Sequence, residues 1–150
     1  MLVTHQGENG AWLRTAPVGS VLDASSILIG LERDADPTAI RQRGRALDTL
    51  ARGQAPDGGW GPYVTSPSEP FDTALAVLGL VAVRNVADLD TAPYTQAELD
   101  QAIRKARDYL IPSRLEDGSS PETTRPAGGE SYAQRISTTA WALQALLASE

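Results

Sequence analysis

Cysteine is absent from the chain and histidine occurs once, as His5. Disulfide frameworks, thiolate nucleophiles and cysteine zinc sites are thereby excluded. Aromatic residues make up 5%, which leaves little for a sugar-stacking platform. Basic residues number 13 against 19 acidic, and the resulting charge of -6 offers no electrostatic footprint for nucleic acid or an anionic membrane. Long apolar runs are missing too: the longest, Ala74 to Val83, falls well short of the roughly 20 residues of a membrane span. The first ten residues, Met1 to Gly10, lack the basic head and apolar core of an export signal, which leaves the compartment open. There is no glycine-rich phosphate loop and no serine elbow. Glu32, Asp34 and Asp36 alternate like the opening of a calcium loop, but Pro37 stands where such a loop needs Gly and Arg43 where it needs Glu. No metal and no cofactor is expected.

What is present is length enough for a core and a pattern that recurs. With 150 residues, 41% of them apolar, one domain spanning 1–150 is the reading. The segment from Leu50 through Gln54, Asp57, Gly58 and Gly59 to Trp60 aligns without gaps, 48 residues earlier, with Leu2, Gln6, Asn9, Gly10, Ala11 and Trp12. A third copy, 60 residues later, keeps Leu110, Asp117 and Gly118 but has Arg114 for Gln and Ser120 for Trp. Repeat turns therefore fall near 6–12, 54–60 and 114–120. An apolar segment follows each one, and these segments align on Asp23, Asp72 and Thr138.

Two kinds of helix alternate. From Pro37 to about Arg52, Ile40, Leu47, Leu50 and Ala51 are expected on one buried stripe with Gly44 between them, while Arg41, Arg43, Arg45 and Asp48 look outward. From Gln96 to Ile111 the stripe is Leu99, Ala102, Ile103, Ala106 and Leu110, opened by a capping box of Thr95 and Glu98. The other kind, Ala74 to Val83 and Ala140 to Ala148, is apolar nearly all round and is expected to be covered on every side. An outer amphipathic helix, a Gly-containing turn and an inner apolar helix, repeated, predict an all-α architecture: a partial α/α toroid of helix hairpins. Ser119 to Gly129 reads as the one long loop.

Gln54 to Trp60, with Leu50 before it and Phe71-Asp72-Thr73-Ala74 after it, resembles the Gln-Trp repeat of squalene-hopene cyclases and the related terpenoid cyclase and protein prenyltransferase families. The segment Ser137 to Leu146 is similar to the repeat helix that follows such a turn, and Tyr109-Leu110 matches the aromatic-Leu pair before it. The resemblance implies a ring of helix hairpins around a cavity, of which this chain spans under half. Gln6, Trp12, Gln54, Gly58, Trp60 and Gly118 are then structural repeat residues. Phe71 and Trp141 are candidate cavity-lining side chains. The repeat residues also have a reading of their own: Asp57-Gly58 and Asn9-Gly10 are turn dipeptides, the Gln amide can serve open backbone groups at helix ends, and a Trp can pack over the turn.

In the class II cyclases, the resemblance further implies, the proton donor is the central Asp of an Asp-x-Asp-Asp-Thr-Ala motif. Here the stretch is Glu69-Pro70-Phe71-Asp72-Thr73-Ala74, and a phenyl ring has no proton to give. Glu69 and Asp72 remain the candidate catalytic acids. Equally, as acids beside Pro70 at a helix start, they suit the positive end of the helix dipole, as does the aligned Asp23. The zinc ligands of the prenyltransferases are not available, since there is no Cys and His5 has no histidine partner. The expectation is a cyclase-like module without catalysis of its own, offering an apolar inner surface to an isoprenoid-like small molecule or a partner. A piece of a class II terpene cyclase and a carbohydrate-active toroid using Glu69 or Asp72 are the alternatives. Helix stacks with bare ends expose apolar faces, so self-association or membership of a longer toroid is also expected.

Overall fold

A computed structural model describes residues 12–87, 89–123 and 131–150. The helices are α1 (Val21–Gly30), α2 (Pro37–Gly53), α3 (Pro70–Arg84), α4 (Gln96–Leu110) and α5 (Tyr132–Ala148), and no strand occurs among the described residues. Each start is set by local chemistry. Ser20 accepts the Asp23 N–H at 3.1 Å to open α1, and Asp36 accepts the Thr38 N–H at 2.8 Å ahead of Pro37 in α2. Thr95 and Glu98 form the reciprocal capping box of α4 at 3.2 and 2.8 Å. Ser131 accepts the Gln134 N–H at 3.2 Å to start α5.

Helix α3 lies at the centre. It packs against α1 on one side and α5 on another, while α2 lies against α1 and α4 against α3, with a lighter touch between α4 and α5. One layer is thus α1, α3 and α5, and the second is α2 and α4. Small residues let the first layer close up: a Cβ on Gly79 would stand 3.2 Å from the Ser25 Cα of α1. Ser25 turns its hydroxyl back to the Val21 carbonyl at 2.8 Å, so no polar group is stranded at the contact. The core between the layers gathers Ile27 and Leu28, Leu47 and Leu50, Val77 and Leu80, Leu99 and Ile103.

The structure departs from the sequence expectation at two elements. In α2 the buried stripe is rotated: Ile40 is 48% exposed and Ala51 is exposed, while Ala39, Arg43, Ala46, Leu47, Leu50 and Gly53 face inward. The outward placing of Arg43 is therefore corrected. Its guanidinium donates to the Leu31 and Asp34 carbonyls, each at 2.6 Å, serving open groups just past the end of α1. In α5 the helix starts at Tyr132, so Thr138 lies well inside it rather than at its start. It is also not covered all round: Ile136, Leu143 and Leu147 are exposed, because α3 and α4 cover only the side that carries Thr138, Ala142 and Ala145. Of the long loop, residues 124–129 lie outside the described residues.

Candidate functional site

The turn between α2 and α3 shows how Gln54, Gly58 and Trp60 act. Gly58 takes φ of +93°, and its N–H bonds the Ala55 carbonyl at 2.9 Å while the Ala55 N–H bonds the Gly59 carbonyl at 2.8 Å. Asp57 fixes the turn by accepting the Gly59 N–H at 2.9 Å and the Ser68 hydroxyl at 2.7 Å. Trp60 is fully buried, and its indole N–H donates to the Leu50 carbonyl at 2.8 Å, one of the four carbonyls that the end of α2 leaves open. The Gln54 amide does not serve a helix end: it donates at 2.9 Å both to the Gly58 carbonyl and to Ala102 within α4, tying the turn to the neighbouring helix.

The turn before α5 has the same backbone bonds. Gly118 has φ of +84°, its N–H meets the Leu115 carbonyl at 2.9 Å, the Leu115 N–H meets Ser119 at 2.7 Å, and Asp117 accepts the Ser119 N–H at 2.9 Å. The Trp60 N–H bonds the Thr73 hydroxyl at 2.9 Å, and the Ser120 N–H bonds the Thr139 hydroxyl at 2.9 Å. Thr73 also donates to the Trp60 carbonyl at 3.1 Å. The sequence reading passed over this threonine; its signal is the Thr-Ala pair after the aligned position, Thr73-Ala74 and Thr139-Ala140. Trp12 does not share the setting of Trp60, being 63% exposed beside a surface cavity of about 230 Å³ that Leu13, Leu22 and Ile27 help line. Gln6 and His5 lie outside the described residues.

The candidate acids sit at the start of α3. Glu69 is the residue before the first turn, but its side chain makes no capping bond; its carboxylate instead accepts the Thr123 hydroxyl at 2.8 Å, tying the helix start to the segment that leads toward α5. Asp72 is in the first turn at 1% exposure. Both lie near Tyr109, whose phenol is held above its ordinary pKa, first by burial and then by the charges of Asp57, Glu69 and Asp72. Phe71 is half-buried and Trp141 is 36% exposed, and neither lines the cavities beside Trp12 or between α4 and α5. Leu22 and Ile29 on α1 and the half-buried Leu78 on α3 are also left partly uncovered on the first layer, and seven-residue spacing puts Leu22 with Ile29, and Phe71 with Leu78, on one face of each helix.

The would-be calcium residues are otherwise engaged. Asp34 pairs with Arg14 at 2.8 Å and accepts the Asp36 N–H at 3.0 Å, and Asp36 caps α2. No group of three or more His, Cys, Asp or Glu placed to hold a metal occurs among the described residues, and none of their helices is long and apolar enough to cross a membrane.

Fold and site together define a two-layer, all-helical unit with recurring Gly-containing turns. Over 85 residues, 53% of this chain, it is 38% identical to drimenyl diphosphate synthase of Streptomyces showdoensis. The matched segment spans 16% of that relative's length. The match supports a terpenoid-cyclase-like relationship. No family model matches the chain, and no solved structure matches it.

Proposed function

We propose that the chain is a cyclase-like helical module, an arc of an α/α toroid of the prenyltransferase-repeat kind, whose apolar inner surface takes an isoprenoid-like apolar ligand or a partner. One observation carries the absence of self-contained catalysis: Phe71 occupies the place of the proton donor. Asp72 is at 1% exposure, and Glu69 is hydrogen-bonded to Thr123. Alkene protonation needs a strong acid presented to the substrate inside an apolar cavity. Neither carboxylate supplies one: Asp72 is shut away from substrate, and Glu69 is engaged with Thr123. The two-layer packing and the recurring turn bonds support the toroid reading, and the partial likeness to drimenyl diphosphate synthase supports the isoprenoid class of ligand.

A carbohydrate-active role would need Glu69 or Asp72 to meet a sugar; the burial of Asp72 opposes its part, and Glu69 accepts the Thr123 hydroxyl. The test is incubation of the chain with squalene and with linear isoprenoid diphosphates, followed by mass analysis of products. The expected result is recovery of the starting material; any new cyclic hydrocarbon or cyclic diphosphate overturns the proposal in favour of a working piece of a cyclase.

A further inference from the structure

The two turns of like backbone differ in several side chains, and one of the differences, Ser120 where the earlier turn has Trp60, goes with a hole. Between α4 and α5 lies a largely apolar cavity of about 140 Å³, with walls formed by Leu110, Thr139, Ala142, Leu143 and Leu146 and with Ser120 at its base. Counting back 60 residues for Leu110 and Ser120, and 66 for the α5 positions, gives Leu50, Trp60, Thr73, Ala76, Val77 and Leu80. Leu50 accepts the Trp60 indole N–H, Thr73 bonds its backbone, and Ala76, Val77 and Leu80 belong to the same buried core. At the later turn the backbone is already in the same place, since the Ser120 N–H reaches Thr139 at the same 2.9 Å as Trp60 reaches Thr73.

The cavity is also open from outside. A Cβ on Gly58 would stand 2.3 Å from the Lys105 carbonyl oxygen of α4, so α4 roofs that turn, whereas Gly118 has nothing within 4 Å. Enclosed apolar cavities of about 150 Å³ take up small aromatics such as benzene, and this one has that size with an open side. The absence of a roof gives such a molecule a way in.

We propose that this cavity binds a small planar aromatic bearing an N–H donor, of indole chemistry, with its ring where the Trp60 ring lies at the earlier turn and its N–H aimed at the Leu110 carbonyl. The inference is independent of the isoprenoid reading, because the cavity is lined by α4 and α5 and does not include Leu22, Phe71 or Leu78. Arg114, where the earlier turn has Gln54, stands at the rim and donates from Nε to the Ile111 carbonyl at 3.0 Å, leaving the interior apolar. One wall differs: Ser113 replaces Gly53, at which an added Cβ would come within 3.2 Å of the Trp60 ring.

The experiment is titration of free indole into the methyl-labelled chain, followed at the Leu110, Ala142, Leu143 and Leu146 methyls. Saturable shifts at these positions are expected. The double variant Ser113→Gly/Ser120→Trp fills the cavity from within; it is expected to raise Tm and to weaken indole binding by more than about tenfold. Ala142→Phe, which fills the same space from α5, serves if the double variant does not fold. Absence of saturable shifts in the parent chain, or equal binding by a folded cavity-filled variant, overturns the proposal. So does a dimer of the parent chain that dissociates on Trp12→Ala and releases the site, since the natural occupant is then a second copy's indole.

Discussion

Trp60 and Gly58 show most plainly how single residues hold this fold. The Trp60 ring is fully enclosed and its N–H answers an open carbonyl at the end of α2. Trp60→Phe removes the donor and part of the ring, so the Leu50 carbonyl stays buried without its partner. The expected loss, read from urea denaturation, is roughly 2–4 kcal/mol. The two positive-φ glycines make a matched pair. Gly118→Ala meets only backbone strain, roughly 1–2 kcal/mol, because nothing approaches it within 4 Å. Gly58→Ala adds collision with the Lys105 carbonyl and is expected to cost roughly 2–5 kcal/mol. Equal losses at the two glycines would show that α4 does not roof the earlier turn. At this scale the sequence was partly legible: the Asp-Gly turn chemistry could be read directly, but the exposure of Trp12 could not. An aligned tryptophan states that an indole is available, whereas its burial depends on which helices lie against it.

At the scale of elements, helix starts were the most readable feature, because a capping box and a proline in the first turn act within a few residues. The facing of α2 was not. Ile40 is apolar and exposed while Arg43 is charged and buried, its guanidinium bonded to two carbonyls beyond α1, although Leu47 and Leu50 face inward as the periodicity requires. Hydrophobic periodicity carries no term for such bonds. The caps and turns also set the response to acid. Asp34 and Asp36, first through the N–H groups of Asp36 and Thr38, Glu98 through that of Thr95, and Asp117 through the Ser119 hydroxyl are all held below their ordinary carboxylate values. Groups so depressed contribute stability that is whole above the ordinary values of 3.8 for Asp and 4.5 for Glu and is lost as pH falls through the folded values. Thermal melts should therefore lose Tm progressively below those values, and Glu98→Gln, which has no carboxylate to protonate, should remove the Glu98 share of that loss. A Tm rising on acidification would contradict this assignment.

For the whole molecule, the layering of apolar and amphipathic helices was legible because it rests on composition around each helix. The uneven cover of α5 was legible only as an expectation of bare ends. Ile136, Leu143 and Leu147 form its uncovered apolar face, and such faces favour association. We expect sedimentation at micromolar concentration to show self-association that Ile136→Lys/Leu143→Lys abolishes; a parent chain that stays monomeric sets α5 aside as a contact. The candidate site was less legible than the fold: Phe71 in place of an acid could be read from the motif, while the setting of Asp72 and Glu69, one buried and one bonded to Thr123, arises from segments far apart in sequence. The most direct measurement of the central claim is a titration of the methyl-labelled chain with an unreactive isoprenoid alcohol, read across both layers. The account predicts saturable shifts along Leu22, Ile29, Leu78 and the Trp141 indole, with the ligand recovered unchanged. Shifts confined to α2 and α4, or a cyclised product, would contradict it.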